Sequence, residues 1–319
     1  MMRVAILDDY QGVALGLADW QSLHPAAQMQ AFSDHLDDRD ALARRLHAFE
    51  CVVLMRERTP FMRALFEKLP NLRLLVTAGM RNASIDLAAA TERSVQVCGT
   101  EMLGYPTAEL TWGLILALIR HIPRDEAALR EGRWQTTLGI VVRGKTLGVL
   151  GLGKLGTQVA AIGKAFGMNL IAWSQNLTAE RAAAGGARLV SKEELFAAAD
   201  VLTIHVVLSD RTRGLVGAAD LARMKKTAYL INTSRGPIVD EAALIAVLRE
   251  HRIAGAALDV FEPEPLPAGH ALRALDNLLL TPHLGYVTEE NYRLLYAHAV
   301  EDIRAFLDGK VLRPLNQLR

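Results

Sequence analysis

The sequence predicts a mixed α/β protein of two parallel-sheet domains with a cleft between them. Three observations carry this. Short β-branched or leucine-rich runs alternate with longer amphipathic stretches, the pattern of a parallel sheet covered by helices. The alternation occurs twice, on either side of a long helical stretch at residues 107–120. The length, 319 residues, suits two domains, because single cores seldom grow beyond about 250–300 residues.

In the first series the strand candidates are residues 4–7, 29–32, 52–54, 72–76 and 95–98, with helices at 39–47, 61–68 and 85–91. The helix at 107–120 follows; it is apolar at Leu110, Leu114, Ile115, Leu118 and Ile119. In the second series the strands are 147–150, 170–173, 201–206, 229–232, 256–258 and 278–280, with helices at 155–166, 192–198 and 241–249. This series is complete by Thr281, yet a further helical pattern runs over 289–306 and a coil-like tail starts at Gly309. The simplest economy is a chain that returns to its first unit. The expected division is a first domain at 1–100, a second domain at 101–285, and a returning helix at 286–319 that packs on the first domain.

Composition narrows the function classes. The chain is 51% hydrophobic and 22% charged, which excludes wholesale disorder. Its net charge is +1 and it has no basic stripe interleaved with aromatics, so no nucleic-acid partner is expected. No apolar run approaches the roughly 20 residues that span a bilayer, and the N-terminus, which enters a strand at once, does not resemble a secretion signal. No membrane partner is expected, and a cytoplasmic location follows by default. Cys51 and Cys98 lie at the ends of separate apolar runs, the first opening its run and the second closing it, without metal-ligand spacing. They read as reduced core residues, and no metal is expected.

Gly151-Leu152-Gly153-Lys154-Leu155-Gly156 matches G-x-G-x-x-G. The pattern alone is weak. Here an apolar strand feeds it, a helical pattern leaves it and a second strand completes a βαβ unit, which is the context of a dinucleotide site. Gly151 permits the tight turn, Gly153 lets backbone N–H groups approach a pyrophosphate, and Gly156 lets helix and strand pack closely. The two domains are therefore expected to be Rossmann-like or flavodoxin-like. The second strand of the unit would end in Asp or Glu if a carboxylate held the adenosine ribose of NAD. The chain instead reads Trp173-Ser174-Gln175-Asn176-Leu177-Thr178, with no acid before Glu180 and Arg181 as the nearest cation. The cofactor is expected to be NADP or NAD, with the balance toward NADP.

Three downstream segments each begin as a buried-looking strand and end in polar residues: 231–241 with Arg235, 256–266 with Glu264, and 280–286 with His283. Ligands of open α/β sheets bind beyond the carboxyl ends of the strands, so these residues should converge on the crevice of the glycine loop. Singly, each has an ordinary structural explanation: a surface ion pair, a loop charge, a core histidine. Together, in this order and behind a glycine loop, they point to catalysis.

With these motifs on the page, the chain resembles the D-isomer-specific 2-hydroxyacid dehydrogenases, among them glyoxylate/hydroxypyruvate reductases and phosphoglycerate dehydrogenases. The resemblance covers nearly the whole chain and includes Ala108-Glu109-Leu110, Gly132-Arg133-Trp134, Met224-Lys225 and the final helix. It implies hydride transfer between NAD(P)H and C2 of a small 2-ketoacid or D-2-hydroxy acid. It implies an Arg–Glu–His set. Arg235 would grip the substrate carboxylate and polarise the C2 carbonyl, since its planar fork of donors is always charged. His283 would act as general acid or base. Glu264, rather than the rival Glu262, would orient the imidazole and favour its protonated form.

The resemblance also implies cofactor contacts at Gly151, Gly153, Lys154, Leu155, Gly156, Ser174, Gln175, Asn176, His205, Val206, Val207, Thr212, Thr233, Ser234, Asp259 and Gly285, with Asp259 accepting from the nicotinamide carboxamide. It implies a first-domain loop, Ala78-Gly79-Met80-Arg81, whose N–H groups bind the substrate carboxylate. The family pattern has a further glycine where Met80 or Arg81 stands. Arg56 could reach this pocket or pair with Glu57 or Asp86, and Arg81 would suit a second anionic group on the substrate. Trp134 and Tyr286 could line the site or belong to the core. The chain ends soon after the returning helix, so a glyoxylate- or hydroxypyruvate-type reductase without a regulatory domain is the expectation. A homodimer is expected, with the helix at 107–120 in its interface. The alternatives are an NAD(P)-sensing binding protein or corepressor-like relative, and a formate- or phosphite-type dehydrogenase.

Overall fold

The computed structural model describes residues 1–318. The chain divides into two compact units, one formed by residues 1–103 with 288–319 and the other by 104–287.

In the first unit, strands β1 (Met2–Ile6), β2 (Ala27–Ala31), β3 (Cys51–Leu54), β4 (Leu74–Thr77) and β5 (Gln96–Gly99) are joined through helices α1 (Arg39–Leu46), α2 (Arg63–Phe66) and α3 (Leu87–Glu92). The strands are all parallel in the order β2-β1-β3-β4-β5, the flavodoxin-like arrangement. β3, β4 and β5 are buried at every residue, as expected of strands covered on both faces. Asp38 and Asp86 accept from the first free N–H groups of α1 and α3 and so start both helices. The helix expected at 61–68 shrinks to α2, because Phe61 is buried and pairs its backbone with Ser84 and Asp86.

The second unit opens with α4 (Pro106–Ile119) and α5 (Ile122–Arg130). Then come β6 (Thr146–Leu150), α6 (Lys154–Ala165), β7 (Asn169–Trp173), α7 (Ala179–Ala184), β8 (Arg188–Leu189), α8 (Lys192–Ala198), β9 (Val201–Ile204), α9 (Ala218–Leu221), β10 (Tyr229–Asn232), α10 (Glu241–Arg249), β11 (Gly255–Leu258) and β12 (Leu278–Leu280). The sheet is parallel in the order β12-β11-β10-β9-β6-β7-β8. Chain order reverses between β6 and β9, so this is the topological switch point where such sheets bind ligands. Here β9 ends at Ile204, two residues earlier than expected. Its last register partner is Leu150, and the chain turns away where β6 gives way to the glycine loop. Helices α5, α7 and α9 and the two-residue β8 went unanticipated; each is short, and α7 is a run of alanines with little amphipathic pattern.

The final helix, α11 (Glu289–Leu307), belongs to the first unit and lies beside β4. It buries Tyr292, Leu295, Tyr296, Ala299 and Ile303. The tail is more ordered than a coil. Leu315 N–H donates to the Val97 carbonyl and the Asn316 side chain accepts from Val97 N at 2.8 Å, so the tail covers the open edge of β5. Among the described residues no helix is long and apolar enough to cross a membrane.

Candidate active site

The site in the second unit is built on neighbouring strand ends. Gly151, directly after β6, has φ +102°, and a side chain there would come within 2.7 Å of the His205 carbonyl oxygen. A side chain at Gly156 would overlap the Gly151 carbonyl outright. Gly153 differs: an added Cβ would meet nothing within 4 Å. It stands at the N-cap of α6 with no side-chain capping bond, so the first N–H groups of α6 face open space. A helix N-terminus left open in this way attracts an anion, and the loop has room and donors for a dinucleotide pyrophosphate. Lys154 is exposed and its ammonium lies against Gly104, while Leu155 is half-buried in the first turn of α6.

Around this loop, Ser174, Gln175 and Asn176 follow β7 in a turn closed by Leu177 N–H on the Ser174 carbonyl. Arg181, on the first turn of α7, reaches back to place Nη1 3.4 Å from the Asn176 carbonyl oxygen. After β9, His205 Nε2 meets Thr203 Oγ1 at 2.8 Å, and burial holds its pKa down at about 4, so the ring is neutral. Val206 accepts from Ser234 Oγ at 2.5 Å, which ties the end of β9 to the turn after β10. Thr212 Oγ1 donates to the Val207 carbonyl at 2.6 Å.

Arg235 sits half-buried after β10. Its turn is shaped by Asn232, whose Oδ1 accepts from Ser234 N and whose Nδ2 donates to the Arg235 carbonyl, each at 3.0 Å. Arg235 Nη1 donates to the Ser234 carbonyl at 2.7 Å. Gly236 packs so closely that an added Cβ would lie 2.5 Å from the Phe261 carbonyl carbon. Phe261 in turn donates its N–H to Glu264 Oε1 at 2.8 Å. The other carboxylate oxygen, Oε2, lies 2.6 Å from His283 Nδ1. Glu262 points elsewhere, to Arg213 at 3.0 Å.

With Nδ1 engaged, Nε2 of His283 is the nitrogen left to exchange a proton with a ligand. His283 has φ +54°, a left-handed conformation that a non-glycine residue adopts only when its surroundings impose it. Asp259 imposes much of it. The side chain is fully buried, its Oδ1 accepts from Thr281 Oγ1 and Leu284 N at 2.6 and 2.7 Å, and its Oδ2 accepts from Gly285 N at 2.9 Å. Burial raises its pKa, and these donors and the nearby His283 pull the other way. Asp259 thus already has three protein donors, whereas the sequence suggested an acceptor for the cofactor carboxamide. The Tyr286 ring is buried and meets the His283 ring edge-on with centroids 5.5 Å apart.

In the first unit, Ala78-Gly79-Met80-Arg81 follows β4. Only Gly79 (φ +91°) takes a left-handed conformation within the loop, so the non-glycine residues at 80 and 81 are accommodated without strain. Gly79 N–H donates to Thr100 Oγ1 at 3.2 Å. Arg56, after β3, lays its guanidinium where a Gly79 side chain would be. It contacts Met102 Sδ at 3.2 Å and Glu57 Oε2 at 3.4 Å, and Asp86 pairs instead with Arg63. Asn82 clamps this corner by donating to the Arg56 carbonyl at 2.7 Å and to Thr77 Oγ1 at 2.9 Å. Met80 and Arg81 are exposed.

Residues 112–285 match the family described as D-isomer specific 2-hydroxyacid dehydrogenase, NAD binding domain. The chain is 43% identical over 257 residues to a glyoxylate reductase of Aeropyrum pernix, covering 77% of each protein. It is 41% identical over 264 residues to a D-3-phosphoglycerate dehydrogenase of Methanocaldococcus jannaschii, covering 82% of this chain and 50% of that one. The chain thus spans about half the length of the phosphoglycerate dehydrogenase relatives it matches. Among solved structures, a phosphoglycerate oxidoreductase from Vibrio cholerae superposes with a TM-score of 0.93 at 39% identity, over 97% of this chain and 100% of the other. The dinucleotide loop, the strand order and these similarities agree: the chain is an oxidoreductase with an NAD(P)-binding domain and belongs to the D-isomer-specific 2-hydroxyacid dehydrogenase family.

Proposed function

We propose that the chain reduces a small 2-ketoacid to the D-2-hydroxy acid, with Arg235, Glu264 and His283 as its catalytic residues and NADPH preferred over NADH. The observation that carries the reading is the 2.6 Å contact between Glu264 Oε2 and His283 Nδ1, on the same strand-end edge as the open N-terminus of α6. The bound cofactor supplies the hydride that C2 receives. The chain's residues do the rest. His283 Nε2 gives its proton to the carbonyl oxygen, and takes it back in the oxidation direction. Glu264, itself fixed by Phe261 N–H, keeps the imidazole in the orientation and tautomer that leave Nε2 available. Arg235 binds the substrate carboxylate and polarises the C2 carbonyl.

Gly151, Gly153, Lys154, Leu155 and Gly156 would hold the pyrophosphate. The residues ending β9 and β10 (His205, Val206, Val207, Thr212, Thr233 and Ser234) would flank the remainder of the cofactor, with Gly285 beside His283. Because His205 is kept neutral by burial, it offers a phosphate no charge. In the first unit, Ala78, Gly79, Met80 and Arg81 with Arg56 would bind the carboxylate end of the substrate. The glyoxylate reductase relatives put glyoxylate first among candidate substrates.

The cofactor preference rests on the end of β7. No carboxylate stands there to repel a 2′-phosphate, Ser174 and Asn176 offer neutral groups, and Arg181 is drawn to that turn. We further propose a homodimer. The apolar residues of α4 are mostly buried within their own unit, but Ile122, Leu129, Trp134, Leu138 and Val141 just beyond it are exposed, Trp134 at 76% and Leu138 at 92%. A run of exposed apolar residues of this kind suits a second copy. The two free, buried cysteines suit a cytoplasmic location.

The test is kcat/KM for NADPH and NADH over a panel of glyoxylate, hydroxypyruvate, pyruvate, phenylpyruvate and 3-phosphohydroxypyruvate. Turnover on at least one, faster with NADPH and with that advantage lost in Arg181→Ala, is expected. A large NADH preference would overturn the cofactor assignment, and cofactor binding without turnover on any substrate would overturn the reaction.

A further inference from the structure

We propose that Thr107, on the first turn of α4, is a positioning residue for His283, and that Thr111 one turn later extends the same tie to the loop of Arg235. The inference rests on the catalytic reading above.

The Thr107 hydroxyl donates to the carbonyl of Gly285 at 2.8 Å. The N–H of that same residue donates to Asp259 Oδ2 at 2.9 Å. Both polar groups of Gly285, two residues beyond His283, are therefore held, one by Asp259 directly after β11 and the other by Thr107 on α4. The packing is close. An added Cβ at Gly285 would lie 3.2 Å from Asp259 Oδ2 and from both Cγ2 and Oγ1 of Thr107. The left-handed conformation of His283 is held by such anchors on its C-terminal side, and on its N-terminal side by its own N–H on the Thr281 carbonyl at 3.0 Å and by the Thr281 hydroxyl on Asp259.

Thr111 gives the direction of the second tie. Its hydroxyl donates to the Thr107 carbonyl at 2.7 Å and lies 2.9 Å from Thr233 Oγ1, in a buried setting. A hydroxyl has one hydrogen to give. With that hydrogen spent on Thr107, Thr233 is the donor in the second contact. The chain of hydroxyls thus runs from Thr233, two residues before Arg235, through Thr111 to the backbone of Thr107, whose own side chain reaches the His283 turn. Two loops that leave different strands, β10 and β12, are set against one helical turn. A rigid helix supporting side-chain positions in this way keeps reacting groups within the small tolerance that catalysis requires.

The test uses the full-length holoenzyme and the ketoacid with the highest turnover, with Thr107→Val, Thr107→Ser, Thr111→Val and His283→Ala measured side by side. Valine keeps the shape and removes the hydroxyl; serine keeps the hydroxyl. Thr107→Val is expected to lower kcat about tenfold and to displace the pH profile of kcat, with ketoacid KM and NADPH affinity unchanged. Thr107→Ser is expected to restore both. Wild-type kcat and profile in Thr107→Val would overturn the inference, as would a serine variant as impaired as the valine one. Thr111→Val leaves the Thr107 side-chain bond in place, so it tests the tie to Arg235 separately, and Thr107→Ala carries the test of the His283 tie should Thr107→Val not fold. Thr111→Val is expected to raise ketoacid KM about fivefold with a smaller loss of kcat than in Thr107→Val, and an unchanged KM would overturn the link to Arg235. His283→Ala separates the two levels. If it retains wild-type kcat the catalytic reading itself fails; if it is inactive while Thr107→Val is normal, only this inference fails.

Discussion

Gly236 is a residue whose replacement by alanine should do damage out of proportion to its size. It follows Arg235 directly and rests against the backbone of Phe261, which holds Glu264 through its N–H. An added methyl would lie 2.5 Å from the Phe261 carbonyl carbon and 2.8 Å from its Cα and carbonyl oxygen. Ordinary carbon contacts begin near 3.5 Å, so the two loops must part by about 1 Å. The clash is with backbone, which cannot rotate away. Overpacking of this kind costs about 1–3 kcal/mol of stability. A misplacement of about 1 Å between reacting groups costs about 100-fold in rate. Gly236→Ala should therefore lower kcat/KM for the ketoacid by about two orders of magnitude while the protein still folds and still binds NADPH, followed by cofactor fluorescence. Gly153→Ala is the counterpart. Its methyl would enter open space at the cofactor loop, so thermal stability should hold and cofactor affinity should fall. A Gly236→Ala enzyme with wild-type kcat/KM would refute the argument that this contact sets the spacing of Arg235 and Glu264.

Two further outcomes follow from named contacts. Glu264→Gln keeps the shape but replaces the carboxylate that faces His283 Nδ1; kcat should fall about 100-fold, within the range for a mispositioned general acid, with cofactor affinity unchanged, and steady-state kinetics with a cofactor titration would check both. Asp302, buried beside Arg313, has its pKa raised by burial from 3.8 to about 6, with Arg313 opposing. Between those values the folded protein keeps a proton that the unfolded chain releases, so this residue's contribution to stability falls as pH rises through that window, by up to about 3 kcal/mol. Urea denaturation of wild type and Asp302→Asn at both ends of the window should show the difference between them shrinking or reversing toward the higher pH; a constant difference would contradict it.

Much of the fold was legible because the alternation of apolar strands and amphipathic helices is strong where strands are buried on both faces. β10 and β12, α8 and α10 stand at the residues the pattern indicated. The misreadings have local causes. α2 is short because Phe61 is held by a backbone bridge that no helical period reveals, and β9 ends early because its neighbour turns into the glycine loop. The candidate site was legible in its charged residues, which follow strands and carry unmistakable chemistry. Its supports were not. Thr281, Thr107 and Thr111 reach residues distant in sequence through hydroxyl hydrogen bonds, Asn232 shapes its own turn through Ser234 and Arg235, and nothing in their spacing marks them. Asp259 stood out in the sequence as a candidate site residue, and the structure shows it engaged by three protein donors, an arrangement only coordinates reveal.

The most direct test of the account is isotopic. Reduced cofactor carrying deuterium at both C4 positions of the nicotinamide is supplied with the best ketoacid whose product has a stereocentre at C2 (hydroxypyruvate, for instance, and not glyoxylate), and the product is analysed by chiral chromatography and mass spectrometry. The account predicts the D-2-hydroxy acid with one deuterium at C2 from wild type, and none formed by His283→Ala above background. Product without deuterium at C2, or the L-enantiomer, would contradict it.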